Sequence, residues 1–116
     1  LIENNIQLIV LAGFLLKIPS NLVNSYERKI INLHPSLLPK FGGKGMYGDN
    51  VHLKVLESGE KKTGVTIHYV NEEYDSGDII FQREIELSER ETLDTLREKI
   101  RLIEYYNYPI IIKNLL

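Results

Sequence analysis

Near the start of the chain lies Gln7-Leu8-Ile9-Val10-Leu11-Ala12-Gly13, a nearly continuous apolar run that closes on glycine. Such a run is typical of a strand that is covered on both faces within a parallel sheet. A second run, Lys29-Ile30-Ile31-Asn32-Leu33, predicts another short buried strand. It ends at His34-Pro35, because proline has no amide hydrogen and restricts the residue before it. The two runs together indicate an α/β sheet with helices above and below it.

Five further elements are predicted from apolar spacing and from turn or capping residues: helices over 20–27, 51–59 and 88–116, and strands over 64–70 and 78–87. The acidic segment 71–77 predicts a tight turn between the two later strands. Pro109 predicts that the last helix kinks or restarts there. Residues 1–116 are therefore predicted to form one α/β domain with a mixed, mostly parallel sheet.

The composition excludes several classes of function. The 116 residues carry 14 Lys and Arg against 16 Asp and Glu, and this net charge of -2 lacks the positive surplus that nucleic-acid binding needs. The absence of cysteine excludes disulfides, thiolate nucleophiles and cysteine-based metal sites. No apolar run approaches the roughly 18 residues of a membrane span, and no signal segment opens the chain. We therefore expect a cytoplasmic protein that binds neither nucleic acid nor membranes.

The most informative motif is Asn32-Leu33-His34-Pro35-Ser36-Leu37-Leu38-Pro39, at the carboxyl end of the second strand. Period-two geometry places the side chains of Asn32 and His34 on one face. Ligand sites in open α/β sheets lie outside the carboxyl ends of strands, so this pair is a candidate site. An asparagine amide can donate to a carbonyl oxygen, and a histidine beside it can give or take a proton. The alternative is that both side chains only satisfy loop backbone.

A second motif, Asn71-Glu72-Glu73-Tyr74-Asp75-Ser76-Gly77-Asp78, holds four carboxylates between two predicted strands. Such a segment is usually a solvated hairpin turn, and that alternative stays open. An aspartate beside His34 would instead favour the imidazolium form, raise the pKa of that histidine and make it a better proton source at neutral pH. We therefore hypothesise that His34 pairs with one of these acids.

The other histidines and the glycine-rich loop receive structural interpretations. His68 lies in mid-strand, where a hydrogen-bonded strand residue is more common than a catalyst, and His52 lies on a predicted helix from which it can reach a loop carbonyl. No two histidines have a spacing that favours chelation, so we expect no metal. The loop over 42–48 lacks the spacing of phosphate-binding motifs and is predicted to cover a substrate.

Three segments together resemble the signature of the folate-dependent formyltransferases: residues 32–39, Thr63-Gly64-Val65-Thr66-Ile67-His68, and Asp75-Ser76-Gly77-Asp78-Ile79-Ile80. Within that family, the loop over 40–48 and the segment 68–70 are most similar to the enzymes that formylate glycinamide ribonucleotide. The resemblance implies a three-layer, Rossmann-like formyltransferase fold. It also implies transfer of a formyl group from 10-formyltetrahydrofolate to the amine of glycinamide ribonucleotide in purine biosynthesis, with these small molecules as the partners.

The resemblance further implies a role for each matching residue. Asn32 would hold the formyl oxygen, His34 would act as general acid, and Asp75 would raise the pKa of His34 and help to take up the amine proton. The folate donor would lie against Asn32 and against two segments, Leu15-Leu16-Lys17-Ile18 and Asn71-Glu72-Glu73-Tyr74-Asp75. The amine substrate would lie near Arg101-Leu102-Ile103-Glu104, with Glu104 as the acid beside it.

The resemblance covers nearly all of this chain but only the later part of the family fold, because the family's Gly-Ser-rich phosphate-binding turn is absent from the sequence. We therefore expect the catalytic, carboxyl-terminal part of such an enzyme, with an exposed sheet edge that favours pairing into a homodimer. Three alternatives stay open: another folate-dependent formyltransferase, a formyltetrahydrofolate hydrolase, and a non-catalytic folate-binding fragment.

Overall fold

The computed structural model describes residues 7–12, 28–43, 46, 48–71 and 77–116. These residues form four strands and two helices, in the order β1 (Ile9–Ala12), β2 (Ile30–His34), α1 (Asp49–Ser58), β3 (Lys62–Tyr69), β4 (Ile79–Glu86) and α2 (Leu93–Leu115). Each element lies where the apolar spacing predicts it, whereas the helix predicted over 20–27 falls outside the described residues. Within the described ranges, no helix has the length and apolar character needed to cross a membrane.

The strands form one mixed sheet in the order β1-β2-β3-β4. β1 and β2 run parallel, while β2 and β3, and then β3 and β4, are antiparallel. The prediction of a mixed sheet is confirmed, but a mostly parallel sheet is not observed, because two of the three pairs among the described strands are antiparallel. The short connection over 70–78 can join β3 to β4 only as a hairpin, which makes that pair antiparallel.

The two faces of the sheet differ in chemistry. One face carries the hydrophobic core, where the strands pack against both helices through residues that are nearly all fully buried: Ile31, Leu33, Val51, Val55, Val65, Ile67, Leu96, Ile100 and Tyr108. Because side chains alternate along a strand, the opposite face carries Asn32 and His34, with their cross-strand partners His68 and Thr66. We call this second side of the sheet the polar face. Among the described residues the fold thus has two layers, with both helices on the apolar side.

One edge of the sheet is formed by β1 within the described part of the chain. Val10 in this strand is 40% exposed, which is high for an apolar residue in a strand. This edge is the one at which the sequence predicts self-association. Homodimer formation itself stays a prediction.

Two glycines fix local geometry where the chain passes from α1 into the first part of β3. Gly59 follows α1 with a φ of 74°, in the left-handed region, and this confirms the predicted glycine cap. At Gly64 a Cβ atom would lie 1.8 Å from the carbonyl oxygen of Arg83, so β3 and β4 can pair closely only because this residue has no side chain.

The long helix α2 begins with a capping box and continues through its proline. The side chain of Thr92 accepts a hydrogen bond from the amide of Thr95 at 3.2 Å, and the side chain of Thr95 accepts one from the amide of Thr92 at 2.9 Å. The helix is unbroken from Leu93 to Leu115, so the restart predicted at Pro109 is wrong. Proline removes a single helical hydrogen bond. The neighbouring Tyr108 compensates, since its hydroxyl donates to the carbonyl of Leu11 at 2.7 Å.

Candidate active site

The candidate site is built on the last residues of β2. Asn32 and His34 lie two residues apart on the polar face, as predicted, and regular pairing ends at Pro35. Leu11 of the parallel strand β1 lies opposite Asn32, so the carboxyl ends of β1 and β2 lie side by side. This is the position at which open α/β sheets bind ligands.

His34 is held in one orientation by a backbone carbonyl. Its side chain is almost completely buried, with 3% of the residue exposed, and its Nε2 lies 2.8 Å from the carbonyl oxygen of Phe41. Because a carbonyl oxygen only accepts hydrogen bonds, Nε2 must carry the hydrogen. The neutral ring is therefore the Nε2–H tautomer.

The turn over 35–41 brings that carbonyl to His34. Ser36 is fully buried and its hydroxyl donates to the carbonyl of Lys40 at 2.7 Å, while the amide of Lys40 donates to the carbonyl of Leu37 at 3.1 Å. These bonds fold the turn back on itself. Phe41 follows with a φ of 58°, a left-handed conformation that bulky residues rarely adopt. The turn therefore fixes the direction of the carbonyl that binds the His34 ring.

Asn32 is oriented by a residue that the sequence analysis placed in a structural role. Nδ1 of His68 lies 2.9 Å from the carbonyl of Tyr69 and must donate to it, so Nε2 of the neutral ring accepts from the Asn32 amide nitrogen at 3.4 Å. His68 is thus a hydrogen-bonded strand residue, as expected, but it also contacts the candidate site. The signal for this contact is the register between β2 and β3, in which Asn32 and His68 are directly opposite.

The amide oxygen of Asn32 has a different environment from its nitrogen. Oδ1 is buried and has no hydrogen-bond partner among the described residues. A buried acceptor that makes no hydrogen bond is costly, and such atoms recur at functional sites. The nitrogen, by contrast, keeps a second N–H in addition to the one directed at His68.

The predicted substrate segment over 101–104 lies on α2 and points in several directions, because successive helical residues are about 100° apart. Arg101 is exposed and donates twice to the carboxylate of Glu98, at 3.0 and 2.6 Å. Leu102 is also exposed, whereas Ile103 packs against the core. Only Glu104 combines partial burial with a carboxylate, and burial raises the pKa of Glu104.

Glu104 belongs to a part of α2 that is tied to β1. Burial, together with the negative charge of Glu104, raises the pKa of Tyr108, and the hydroxyl of Tyr108 donates to the carbonyl of Leu11. Leu11 in turn pairs with Asn32. Glu104 therefore lies on the helix that packs against β1 and β2, the two strands whose carboxyl ends form the candidate site.

Several predicted site residues lie outside the described residues: Leu15, Leu16, Lys17, Ile18, Glu72, Glu73, Tyr74 and Asp75. Asn71 is described and is half-buried directly after β3. Because β3 runs antiparallel to β2, with Tyr69 opposite Ile31, Asn71 lies toward the amino end of β2. The structure therefore brings together Asn32 and His34 and adds His68 to them.

A separate cavity of about 670 Å³ lies on the far side of the turn over 35–41. Its lining comes from that turn, from the end of α1 and from the start of β3, and it includes the ion pair of Lys40 with Glu60 at 2.9 Å. Neither Asn32 nor His34 lines it. This cavity is therefore distinct from the candidate site.

The mixed sheet with its helices, in which the carboxyl end of β2 lies beside that of the parallel strand β1 and carries Asn32 and His34, defines the chain as a Rossmann-like α/β domain. The chain belongs to the formyl transferase family, whose family model matches residues 1–112.

Individual relatives agree with this assignment. The chain is 42% identical over 113 residues to the phosphoribosylglycinamide formyltransferase of Bacillus subtilis (strain 168), which spans 97% of this chain and 55% of that protein. It is 45% identical over 103 residues to the chloroplastic phosphoribosylglycinamide formyltransferase of Arabidopsis thaliana, which spans 89% of this chain and 35% of that protein. The chain thus corresponds to between about one third and just over half of these relatives.

Solved structures have the same fold. The phosphoribosylglycinamide formyltransferase of Bacillus halodurans superposes with a TM-score of 0.89 at 39% identity, over 98% of this chain and 56% of that one. A formyltetrahydrofolate deformylase from Pseudomonas syringae superposes with a TM-score of 0.79 at 30% identity, over 91% of this chain and 34% of that one. The same backbone therefore occurs in proteins named as a transferase and as a deformylase.

Proposed function

We propose that this chain carries the reaction centre of an enzyme that transfers a formyl group from 10-formyltetrahydrofolate to the amine of glycinamide ribonucleotide. The observation that carries the proposal is the pair of Asn32 and His34 on the polar face, each held by a neighbouring hydrogen bond at the ligand-binding end of the sheet. The names of the relatives in Bacillus subtilis and Arabidopsis thaliana support the choice of acceptor.

The chemistry of formyl transfer fits these groups. The amine nitrogen attacks the formyl carbon, so negative charge develops on the formyl oxygen and positive charge on the attacking nitrogen. The amine then loses a proton, the bond between the formyl carbon and N10 of the folate breaks, and N10 leaves with a proton. The second N–H of Asn32 would donate to the oxygen, and His34 would donate a proton through Nδ1, since its Nε2–H is already bonded to Phe41. Donors fixed before the reaction stabilise this transition state without reorganising during it. The scheme uses no metal ion.

Asp75 would complete this centre by favouring the charged form of His34, which raises the pKa of the imidazole. Leu15 to Ile18 and Asn71 to Asp75 would hold the folate, and Glu104, within Arg101 to Glu104, would lie near the amine. All of these assignments are proposals.

The setting of the enzyme is also proposed. We infer a cytoplasmic enzyme whose partners are small molecules, with pairing at the β1 edge as the route to a homodimer. The relative in Arabidopsis thaliana is named as chloroplastic, so relatives of this chain work in more than one compartment.

A second candidate function is hydrolysis of 10-formyltetrahydrofolate, which the similarity to the Pseudomonas syringae deformylase favours. An assay that supplies 10-formyltetrahydrofolate with and without glycinamide ribonucleotide separates the two reactions. We expect formylated ribonucleotide to form and little formate to be released without the acceptor. Formate release at the same rate in both reactions would overturn the transferase proposal.

A further inference from the structure

We propose that Gln82 is a positioning residue for His34, acting through the turn over 35–41. Gln82 lies on β4, opposite Thr66 of β3, and β3 separates it from β2, the strand that carries His34. Its amide nitrogen donates to the carbonyl of Leu38 at 3.0 Å and to the hydroxyl of Thr66 at 3.0 Å. Both N–H groups of the Gln82 amide are therefore used to connect β4 to β3 and to the turn.

Thr66 makes this connection rigid. Its hydroxyl donates to the carbonyl of Ser36 at 2.7 Å and accepts from the amide of Leu38 at 3.0 Å, in addition to the bond from Gln82. A hydroxyl has one donor and two acceptor positions, so every hydrogen-bonding position of Thr66 is filled. Thr66 and Ser36 are both fully buried, which makes each of these bonds costly to lose.

The turn transmits this constraint to the imidazole. Gln82 and Thr66 fix the backbone at Ser36 and Leu38, and the Ser36 hydroxyl then holds the carbonyl of Lys40. The next residue is Phe41, whose carbonyl accepts the hydrogen of His34 Nε2. Hydrogen bonds, together with the backbone of the turn that joins them, therefore connect β4 to the His34 ring.

The consequence for function rests on the proposed formyl transfer. If the turn shifts, the Phe41 carbonyl no longer selects the Nε2–H tautomer, and Nδ1 no longer lies at one fixed point. A displacement of about 1 Å can cost an enzyme about 100-fold in rate. Gln82 would thus influence the rate of the chemical step without touching the substrate.

The test replaces Gln82 by a residue of similar length that has no N–H group. The wild-type chain is compared with two variants, Gln82→Met and Arg83→Met. Arg83→Met is the matched control, because it makes the same replacement at the adjacent exposed position, on the other face of β4. Two quantities are measured: the tautomer of His34, from NMR of ¹⁵N-labelled histidine rings assigned with His34→Gln, and kcat and KM for formyl transfer.

For Gln82→Met we expect mixed tautomers of His34 and a kcat lowered by about 10-fold, because a displacement of the imidazole by less than about 1 Å is enough for such a loss. The KM for the folate donor should stay within about twofold of the wild-type value. For Arg83→Met we expect wild-type values. An unchanged His34 tautomer, or an unchanged kcat in an active protein, would overturn the positioning role. If Gln82→Met does not fold, as judged by circular dichroism, Gln82→Glu replaces it with the same expectations.

The two measurements separate this inference from the proposed function. A wild-type protein that transfers no formyl group contradicts the proposed function, and the His34 tautomer alone then decides whether Gln82 positions the ring. A wild-type protein that transfers formyl, together with a Gln82→Met variant that matches it in both measurements, leaves the function intact and removes Gln82 from the mechanism.

Discussion

Backbone carbonyls determine which atoms of the candidate site face a ligand. The carbonyl of Phe41 binds Nε2 of His34, and the carbonyl of Tyr69 binds Nδ1 of His68, so each neutral ring has one tautomer. Because the tautomer of His68 leaves its Nε2 as an acceptor, that atom accepts a hydrogen bond from the amide nitrogen of Asn32. Catalytic groups that are fixed in this way need no reorganisation when charge develops on a bound formyl group.

Replacing Asn32 by an isosteric carboxylate tests whether its N–H group matters. In Asn32→Asp a negative oxygen takes the place of the donor, next to the point where the formyl oxygen becomes negative. We expect kcat for formyl transfer to fall by about 100-fold or more. The exposed Asn114→Asp is the control and should stay within twofold. Equal rates for the two variants would remove Asn32 from the mechanism.

His52 on α1 gives a pH dependence of stability that does not involve the site. The residue is buried, its Nδ1 has no hydrogen-bond partner among the described residues, and burial lowers its pKa. The unfolded chain, with a histidine pKa of about 6.5, then binds protons more readily than the folded chain. The free energy of unfolding is therefore expected to fall as the pH drops below about 6.5.

Urea unfolding at pH 7.5 and at pH 5.5 measures this effect. In His52→Gln the loss of stability between the two pH values should be smaller than in the wild type, because the titrating group is gone. The carboxylates with lowered pKa values, such as Glu91, contribute only at lower pH and do not interfere. The same loss in both proteins would show that His52 is not responsible.

At the scale of elements, a buried hydroxyl adds a hydrogen bond to the apolar packing of α2 against the sheet. Tyr108 is 9% exposed and its hydroxyl donates to the carbonyl of Leu11, whereas Tyr106 is 66% exposed. We expect Tyr108→Phe to lower the free energy of unfolding by about 1 to 2 kcal/mol, because the Leu11 carbonyl loses a donor inside the protein. Tyr106→Phe is the matched control.

Denaturant unfolding of the two tyrosine variants measures the difference. Tyr106→Phe should change stability by less than about 0.5 kcal/mol, as is usual for exposed positions. If both variants are equally stable, the bond between Tyr108 and Leu11 does not hold α2 to β1.

The elements show which parts of the fold follow from local sequence. The apolar run of β2 and the period of two predict the shared face of Asn32 and His34, because both depend on residues close in sequence. The roles of His68, Thr66 and Gln82 depend on the register between strands that are distant in sequence, so no local pattern contains them. The restart expected at Pro109 is wrong because it, too, was inferred from local sequence alone. The packing of α2 against the sheet outweighs the one hydrogen bond that the proline removes.

For the whole molecule, the two faces of the sheet divide stability from chemistry. The helices and the larger hydrophobic cluster occupy one face, and the candidate site occupies the other, beside a smaller apolar cluster around Ile30. The cavity beyond the turn over 35–41 is the competing place for a ligand. A titration with a folate analogue, followed by backbone NMR, distinguishes them.

In that titration we expect weak binding, with chemical shift changes centred on Asn32, His34, Asn71 and the segments 15–18 and 72–75. Residues around the competing cavity, such as Lys61 and Lys62, should change little. Changes confined to that cavity would place the folate site elsewhere and contradict the assignment made here.

We propose that the imidazole of His34 takes part in proton transfer during formyl transfer. The most direct test is the kcat of His34→Ala with 10-formyltetrahydrofolate and glycinamide ribonucleotide, both saturating, beside the wild type and the exposed control Lys54→Ala. We predict a loss of about 100-fold or more for His34→Ala, with a wild-type circular dichroism spectrum and normal activity in the control. A His34→Ala variant that keeps the wild-type kcat would show that His34 takes no part in the proton transfer.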